Sequence, residues 1–159
     1  MCEEYLFHGT ERNRGLRFIK NKKMEESHGD SHWLGDGVYF YVQEFLAYNW
    51  IRKMFFHRIK KSFSYSELVN SYMILECKIK VDKKKVFNIV DNFEHQLIFE
   101  YFLDNVNSKK EYIEKYKDFD SLDGVVINCM FNELGYAQKF DIFVGAFVTK
   151  ANRNRNKKN

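Results

Sequence analysis

Residues 33–41 of this 159-residue chain, WLGDGVYFY, are the stretch around which the fold is predicted. Two glycines, Gly35 and Gly37, stand directly before a β-branched and aromatic run. Because glycine adopts backbone angles that other residues avoid, the pair predicts a sharp turn. The run 38–41 has the composition of a short strand. Tyr39 can offer a flat ring to a ligand, or it can be an ordinary core aromatic in a chain that is 18% aromatic.

The hydrophobic pattern of the remaining chain predicts a mixture of short helices and strands. Residues 43–59 form the clearest helix, because their apolar side chains recur at helical spacing on one face. Residues 71–81 alternate toward their end and predict a long strand. The other predicted elements are a strand over 4–8, a helix or turn over 11–20, a loop over 21–32, a polar connection over 62–69, a strand over 86–90, helices over 92–105 and 109–117, and strands over 123–129 and 139–149. This order indicates an α+β fold.

Composition limits the class of protein. With 45% hydrophobic and 30% charged residues, the chain fits one globular domain over 1–150, followed by a basic disordered tail over 151–159. No apolar run reaches the roughly 18 residues needed to span a bilayer, and the acidic N-terminus is not a signal peptide. Cys2, Cys77 and Cys129 show neither metal-ligand spacing nor an even disulfide set, which favours a reducing cytoplasm.

The charge is mildly basic and unevenly distributed. The net charge is +4, with clusters at 20–23, 60–61, 83–85 and 153–158. These clusters are either solvated loops or a face that attracts a polyanion such as RNA, DNA or the NAD pyrophosphate. His28 and His32 lie four residues apart in the predicted loop, but a metal site requires further ligands, so we expect no metal there.

A second motif is YLFHGT at residues 5–10, and together with residues 33–41 it resembles a pattern of a known family. An apolar strand that ends in His-Gly-Thr, followed by GVYF at 37–40, resembles the NAD-binding core of the ADP-ribosyltransferases, of the diphtheria-toxin and poly(ADP-ribose) polymerase type. The resemblance extends over residues 5–59. It implies a split two-sheet ADP-ribosyltransferase-like core with flanking helices, and NAD as the substrate.

The resemblance implies roles for the first motif. In that family the histidine, here His8, bonds the adenosine-side ribose, and the backbone of the next glycine, here Gly9, bonds the nicotinamide carboxamide. A side chain at Gly9 would block close approach of the ligand. Thr10 adds a hydroxyl beside the ribose. From the residues alone, His8 can equally be a satisfied histidine at a strand end.

The resemblance also implies an aromatic clamp around nicotinamide. Tyr39 matches the tyrosine of the family's histidine–tyrosine–glutamate pattern and would pack against the nicotinamide ring. Trp50, on the following helix, would supply the second ring, with Tyr48 in reserve. The alternative for Trp50 is a core position, because it also lies on the apolar face of that helix.

The third element of the pattern departs from the family. Members usually carry a glutamate on a late strand, which fixes the ribose hydroxyls and supports the oxocarbenium-like transition state. Here the candidate is Glu133, in a predicted loop between two strands, and Gln138 and Asp141 are the other late polar candidates. This departure leaves open a catalytically degenerate NAD- or nucleic-acid-binding module.

The activity predicted from the resemblance is mono-ADP-ribosyl transfer to a macromolecular acceptor, either nucleic acid or protein. Its size and lack of accessory domains suit a toxin or phage-defence effector, with an antitoxin or regulatory protein as partner and no membrane association. A structural or interaction protein unrelated to NAD is the third hypothesis. It would be supported if His8 and Tyr39 lay too far apart to contact one nicotinamide ribosyl unit.

Overall fold

Two ten-residue strands, β1 (Cys2–Glu11) and β2 (Tyr72–Val81), pair as an antiparallel sheet in the computed structural model. The structure describes residues 2–29, 32–117 and 122–146. The register of the sheet places Glu11 opposite Tyr72, so the chain positions the end of β1 beside the start of β2. Both strands were predicted. β1 extends beyond the predicted 4–8 at both ends, and β2 begins one residue after the start of the predicted 71–81.

The chain divides into two compact units, each assembled from separated segments. The first unit contains Met1–His28 and Gly37–Lys83, and the second contains Gly29–Asp36 and Lys84–Asn159. Each unit holds one small two-stranded sheet with helices, so the predicted α+β class is confirmed. The prediction of a single domain over 1–150 stays a prediction.

Two helices of the first unit cover opposite faces of the β1–β2 sheet. Helix α1 (Arg12–Asn21) packs through Gly15 against Met73, which points to one face. Helix α2 (Glu44–Ile59) packs through Ile51 against the other face. Successive strand residues point to opposite faces, so each face of the sheet buries against its own helix. Both helices were predicted.

A compact apolar cluster joins α2 to the short helix α3 (Tyr65–Ser71). Ala47, Ile51 and Phe55 recur at every fourth position of α2 and are buried, as the helical spacing predicted. Leu68 of α3 is almost completely buried in the same cluster. Burial of these side chains fixes α2 against the sheet, and the larger ones, Ile51, Phe55 and Leu68, each contribute about 1.5–3 kcal/mol.

The second unit is organised around Phe87, which is completely buried in strand β3 (Val86–Asn88). Strand β4 (Ile142–Val144) runs parallel to β3, and Phe87 stacks on Phe143 at a ring-centroid distance of 5.8 Å. The helical elements of this unit are α4 (Phe93–Ser108), α5 (Lys110–Lys115), α6 (Asp123–Asn128), a π-helix (Cys129–Glu133) and α7 (Tyr136–Lys139).

The stretch that contains Gly35 and Gly37 forms the sharp turn that the two glycines predict. The N–H of Gly35 donates to the carbonyl of His32 at 3.2 Å, and Gly35 has a left-handed φ of 71°. The N–H of Asp36 then donates to Oδ1 of Asn128 at 2.6 Å. A Cβ on Gly124 of α6 would collide with the carbonyl of His32, so this residue must be a glycine where the loop meets the helix.

The predicted strand over 123–129 is wrong, because these residues form α6 and the first residue of the π-helix. Val125, Val126 and Ile127 are consecutive and all buried. A short apolar run of this kind has no periodicity that distinguishes a buried strand from a buried helix. The β-branched composition favoured a strand, and tertiary burial overrode that preference.

Two smaller predictions in the first unit are also corrected. The polar connection over 62–69 contains most of α3, which starts with a complete capping box between Ser64 and Glu67. The strand predicted over 38–41 does not form. Only Tyr41 pairs, through an isolated bridge to Phe7, and residues 38–40 leave the sheet edge.

The late strand is shorter than the sequence suggested. Within 139–146, the described part of the predicted strand, the strand residues are Ile142–Val144, because Tyr136–Lys139 completes a helical turn and Phe140 packs into the core. Residues 147–149 and the tail 151–159 lie outside the described residues.

Candidate active site at the end of β1

The His8 side chain is held at one atom. Its Nδ1 lies 2.7 Å from the backbone carbonyl oxygen of Tyr39. A carbonyl oxygen can only accept a hydrogen bond, so Nδ1 carries the proton and donates. The ring of Phe40 lies at a centroid distance of 5.8 Å from the imidazole. The arrangement fixes the ring orientation and leaves Nε2 as a hydrogen-bond acceptor in the neutral imidazole.

The surroundings keep His8 neutral. Burial lowers the pKa of His8 below its ordinary value of 6.5, and the charge of Arg14 lowers it further, while the hydrogen bond to Tyr39 opposes both effects. A histidine with a lowered pKa is neutral at pH 7, so its Nε2 can accept a proton or a hydroxyl hydrogen bond there.

Gly9 lies against helix α2. A Cβ at this position would stand 2.7 Å from Cγ2 of Ile51 and 3.1 Å from the carbonyl oxygen of Ala47. The sequence suggested that Gly9 lacks a side chain so that a ligand can approach. The structure gives a different reason, which is the close approach of α2 to the strand backbone.

The backbone of Gly9 faces the edge of β1 that β2 does not occupy. Phe7 exchanges both of its backbone hydrogen bonds with Tyr41, each at 2.8 Å. Backbone polar groups of alternate strand residues point to the same edge, so the N–H and C=O of Gly9 also point away from β2. Within the described residues, no backbone hydrogen bond joins Gly9 to 38–40. Among the described residues, no strand pairs with this edge at Gly9, and Gly9 itself is buried.

The aromatic residues predicted to clamp a ligand are positioned by two different elements. Cδ1 of Trp50, on α2, lies 3.5 Å from the Cβ position of Gly9, and 38% of the Trp50 surface is exposed. Tyr39 is half-buried. Burial of Tyr41 and, to a smaller extent, its interaction with Tyr39 raise the pKa of the Tyr41 hydroxyl to about 12. Tyr48, the reserve candidate, lines a separate cavity beside α3. Trp50 rather than Tyr48 thus lies at Gly9.

Thr10 shares a face of β1 with His8, because the two residues are two positions apart. Its methyl carbon Cγ2 lies 3.1 Å from the Cβ position of Gly15 in α1. The methyl group thus packs against α1, which gives Thr10 a structural contact in addition to the role that the resemblance implies.

Glu133 lies in the second unit, and the segment that contains it is helical where the sequence predicted a loop. It is the last residue of the π-helix, and its Oε2 accepts from Sγ of Cys129 at 3.7 Å. Burial, with the charge of Glu133, raises the pKa of the Cys129 thiol. Together with Asn128 these residues line a cavity of about 440 Å³ within the second unit.

The two other late polar candidates support the β3–β4 region of the second unit. The backbone N–H of Asp141 donates to the carbonyl of Lys85 at 2.9 Å. The Nζ of Lys85 donates to the carbonyl of Gln138 at 3.5 Å. In the first unit the structure joins His8 to the backbone of Tyr39 and places Trp50 beside Gly9, on the face of β1 opposite His8; the late polar candidates lie in the second unit.

A cavity of the first unit was missed by the sequence analysis. It has a volume of about 380 Å³ and lies where α2 meets α3. The polar composition of 62–69 hid it, although the Ser64 and Glu67 pair at capping-box spacing could have revealed α3.

Two other classes of site would bind a metal ion or a lipid bilayer. Over 2–29, 32–117 and 122–146, no group of three or more His, Cys, Asp or Glu side chains could hold a metal ion. In the same ranges, none of the helices has the length and apolar character that crossing a bilayer requires.

The fold and this site define a mixed α+β protein with a histidine–glycine pair on β1. The chain belongs to the same family as the uncharacterized protein MJ0359 of Methanocaldococcus jannaschii. The two are 33% identical over 162 residues, which covers 96% of this chain and 72% of the archaeal protein. No protein-family profile matches the chain, and no solved structure matches it.

Proposed function

We propose that the chain is a mono-ADP-ribosyltransferase that cleaves the nicotinamide–ribose bond of NAD and transfers ADP-ribose to a macromolecular acceptor. The observation that supports this most directly is that the imidazole of His8 is fixed by the Tyr39 carbonyl next to Gly9, whose backbone groups point to the edge of β1 away from β2. An N–H and a C=O on one strand edge are complementary to a carboxamide, which carries both an acceptor and two donors.

The orientation of His8 suits a ribose. Its Nδ1 is occupied by the Tyr39 carbonyl, so Nε2 is the atom that would accept a hydrogen bond from a ribose hydroxyl. The lowered pKa keeps Nε2 unprotonated at neutral pH, which this role requires. Trp50 lies close to Gly9 with part of its surface exposed, where an indole could pack against a planar ring.

The reaction conserves atoms and electrons without a further reactant. The electron pair of the bond between ribose and nicotinamide leaves with nicotinamide, which becomes neutral. A lone pair of the acceptor forms the new bond to the ribose carbon, and the acceptor proton passes to water. Fixed hydrogen bonds to the ribose and the carboxamide would orient the two fragments as positive charge develops on the ribose.

A second candidate function is NAD binding without catalysis. It is favoured by the position of Glu133, which ends a π-helix in the second unit instead of standing on a strand. In the first proposal Glu133 is the residue that would support the oxocarbenium-like transition state. In the second it has no catalytic role.

The two candidates are separated by measuring nicotinamide release from NAD by the purified protein, with and without cellular RNA, DNA and protein extract. If the chain is a transferase, nicotinamide is released only when one of the three extracts is present. With radiolabelled NAD, the labelled ADP-ribose then appears on the RNA, DNA or protein of that extract. Binding of NAD without release in any mixture would favour the second candidate, and absence of both would refute each.

Substitutions then test the site. His8→Ala should abolish release, because the ribose loses its acceptor. The matched control is His28→Ala, which removes an exposed histidine of the same unit and should leave release unchanged. Equal activity of both variants would contradict the role of His8.

A further inference from the structure

An aromatic cavity of about 380 Å³ lies in the first unit where α2 meets α3. Its walls combine four aromatic rings with an arginine and a hydroxyl. They are Tyr48, Arg52, Phe56, Ser62, Phe63 and Tyr65. The volume falls within the range of small-molecule sites, which is about 300–1,000 Å³, and it is sufficient for one nucleoside.

The rings of this cavity divide into anchored and exposed ones. Phe63 packs edge-on against Phe55 at a centroid distance of 4.8 Å, so it belongs to the core cluster. Phe56 and Tyr65 are 52% and 69% exposed. Exposed rings beside a cavity leave an apolar surface that a second planar group can cover.

The chain around this cavity carries more cations than anions. Residues 45–66 contain five lysines and arginines and no aspartate or glutamate, while Glu67 interacts with Lys61 and Glu11 pairs with Arg58 at 3.2 Å. The guanidinium carbon of Arg52 lies 5.8 Å from the ring centroid of Tyr48, which places its charge at the cavity wall. Lys60 ends α2 in a left-handed conformation, and Lys61 follows before the cavity residue Ser62. The cavity therefore carries positive charge beside stacking surfaces.

We infer that this cavity binds single-stranded nucleic acid. An unpaired base stacks on Tyr65 and Phe56, and the neighbouring phosphates contact Arg52, Lys60 and Lys61. Aromatic platforms flanked by cations are how proteins bind unpaired strands, whereas the bases of a duplex are already stacked on one another. The inference deepens the proposed function by naming the acceptor class, and in that respect it rests on the proposed function.

The test is fluorescence anisotropy with dye-labelled single strands of DNA and RNA of about 12 nucleotides, without NAD. Tyr65→Ala should weaken binding on the order of 10-fold or more, since it removes one stacking ring. Tyr65→Phe keeps the ring and should bind like the natural chain. The matched control is Tyr101→Ala, which removes a tyrosine of similar exposure, 65%, from α4.

The phosphate contacts are tested by the salt dependence of binding. The double variant Lys60→Gln with Lys61→Gln should reduce the slope of log affinity against log salt by about 1.4, at roughly 0.7 per phosphate contact. The control is Lys22→Gln with Lys23→Gln. It removes the same charge, and Lys22 also ends a helix, α1, in a left-handed conformation.

Three outcomes would overturn the inference. These are equal binding by Tyr65→Ala and Tyr101→Ala, duplex binding as tight as single-strand binding, or equal salt slopes for the two lysine pairs. Tighter binding of labelled poly-glutamate than of either strand would assign the cavity to an acidic protein instead. Because the assay contains no NAD, absence of nicotinamide release refutes only the proposed function, and absence of strand binding refutes only this inference.

Discussion

Substitution of Gly9 by alanine separates the structural role of this glycine from a role in ligand binding. The added Cβ would stand 2.7 Å from Cγ2 of Ile51 and 3.1 Å from the carbonyl oxygen of Ala47. Ile51 is 4% exposed and cannot move aside into solvent. Overpacking of this kind typically costs about 1–3 kcal/mol, so we expect Gly9→Ala to lower the free energy of unfolding by that amount.

A double-mutant cycle tests the contact itself. Ile51→Ala alone should cost about 2–5 kcal/mol, because it leaves a cavity under α2. In the double variant with Gly9→Ala, the added methyl group enters that cavity. The combined cost should therefore be smaller than the sum of the single costs by about 1 kcal/mol or more. As a control, Gly15→Ala packs against Met73 on the opposite face and should add to Ile51→Ala without coupling.

The assay is urea unfolding followed by far-ultraviolet circular dichroism and tryptophan fluorescence. Unchanged stability of Gly9→Ala, or strict additivity with Ile51→Ala, would refute the packing argument. If Gly9→Ala kept its stability but lost nicotinamide release, the glycine would instead be required by the ligand.

Three further predictions follow from other contacts. The folded-state pKa of His8 is lowered, so the unfolded chain binds the extra proton; stability should fall as pH drops below about 6.5, and His8→Gln should reduce this slope in urea titrations at several pH values. Ser64→Ala removes the cap of α3 and should cost about 1 kcal/mol in the same assay, whereas Ser66→Ala, within the helix, should have little effect. Gly35→Ala combines a left-handed φ with a collision against Asn128 and should lower the melting temperature; an unchanged transition would contradict the described loop geometry.

The elements with regular periodicity were predictable from the sequence. Helix α2 was predictable because apolar residues recur at i, i+3 and i+4, as in Ala47, Trp50 and Ile51, a spacing that a helix but not a strand places on one face. Helix α6 was missed because every residue of Gly124–Ile127 is buried, so no polar position marks a period. The strand over 38–41 was predicted from composition alone. Composition does not show whether another strand lies alongside, and only Tyr41 of this stretch pairs with β1.

The candidate site was predictable in part. The sequence predicted that His8 and Tyr39 act at one place, and in the structure Nδ1 of His8 lies 2.7 Å from the backbone carbonyl oxygen of Tyr39. The large separation that would have supported an unrelated protein is therefore not observed. The packing reason for Gly9 could not be inferred, because it depends on the approach of α2 from a distant part of the chain. The prediction that Glu133 lies in a loop between two strands is wrong, because residues 123–129 form a helix and not the strand on which that prediction depended.

The attachment of Asp36 to Asn128 has a consequence for how the chain is made on the ribosome. The two residues are 92 positions apart, and both belong to the second unit. At elongation rates of about 5–20 residues per second, the loop around Gly35 and Asp36 is synthesised roughly 5–20 seconds before helix α6. During synthesis the β1–β2 sheet can form only after residue 81, and the contact of Asp36 with Asn128 can form only later, once α6 has been made. A ribosome-stalled chain that ends before α6 should therefore leave this loop sensitive to protease after β1 and β2 have become protected.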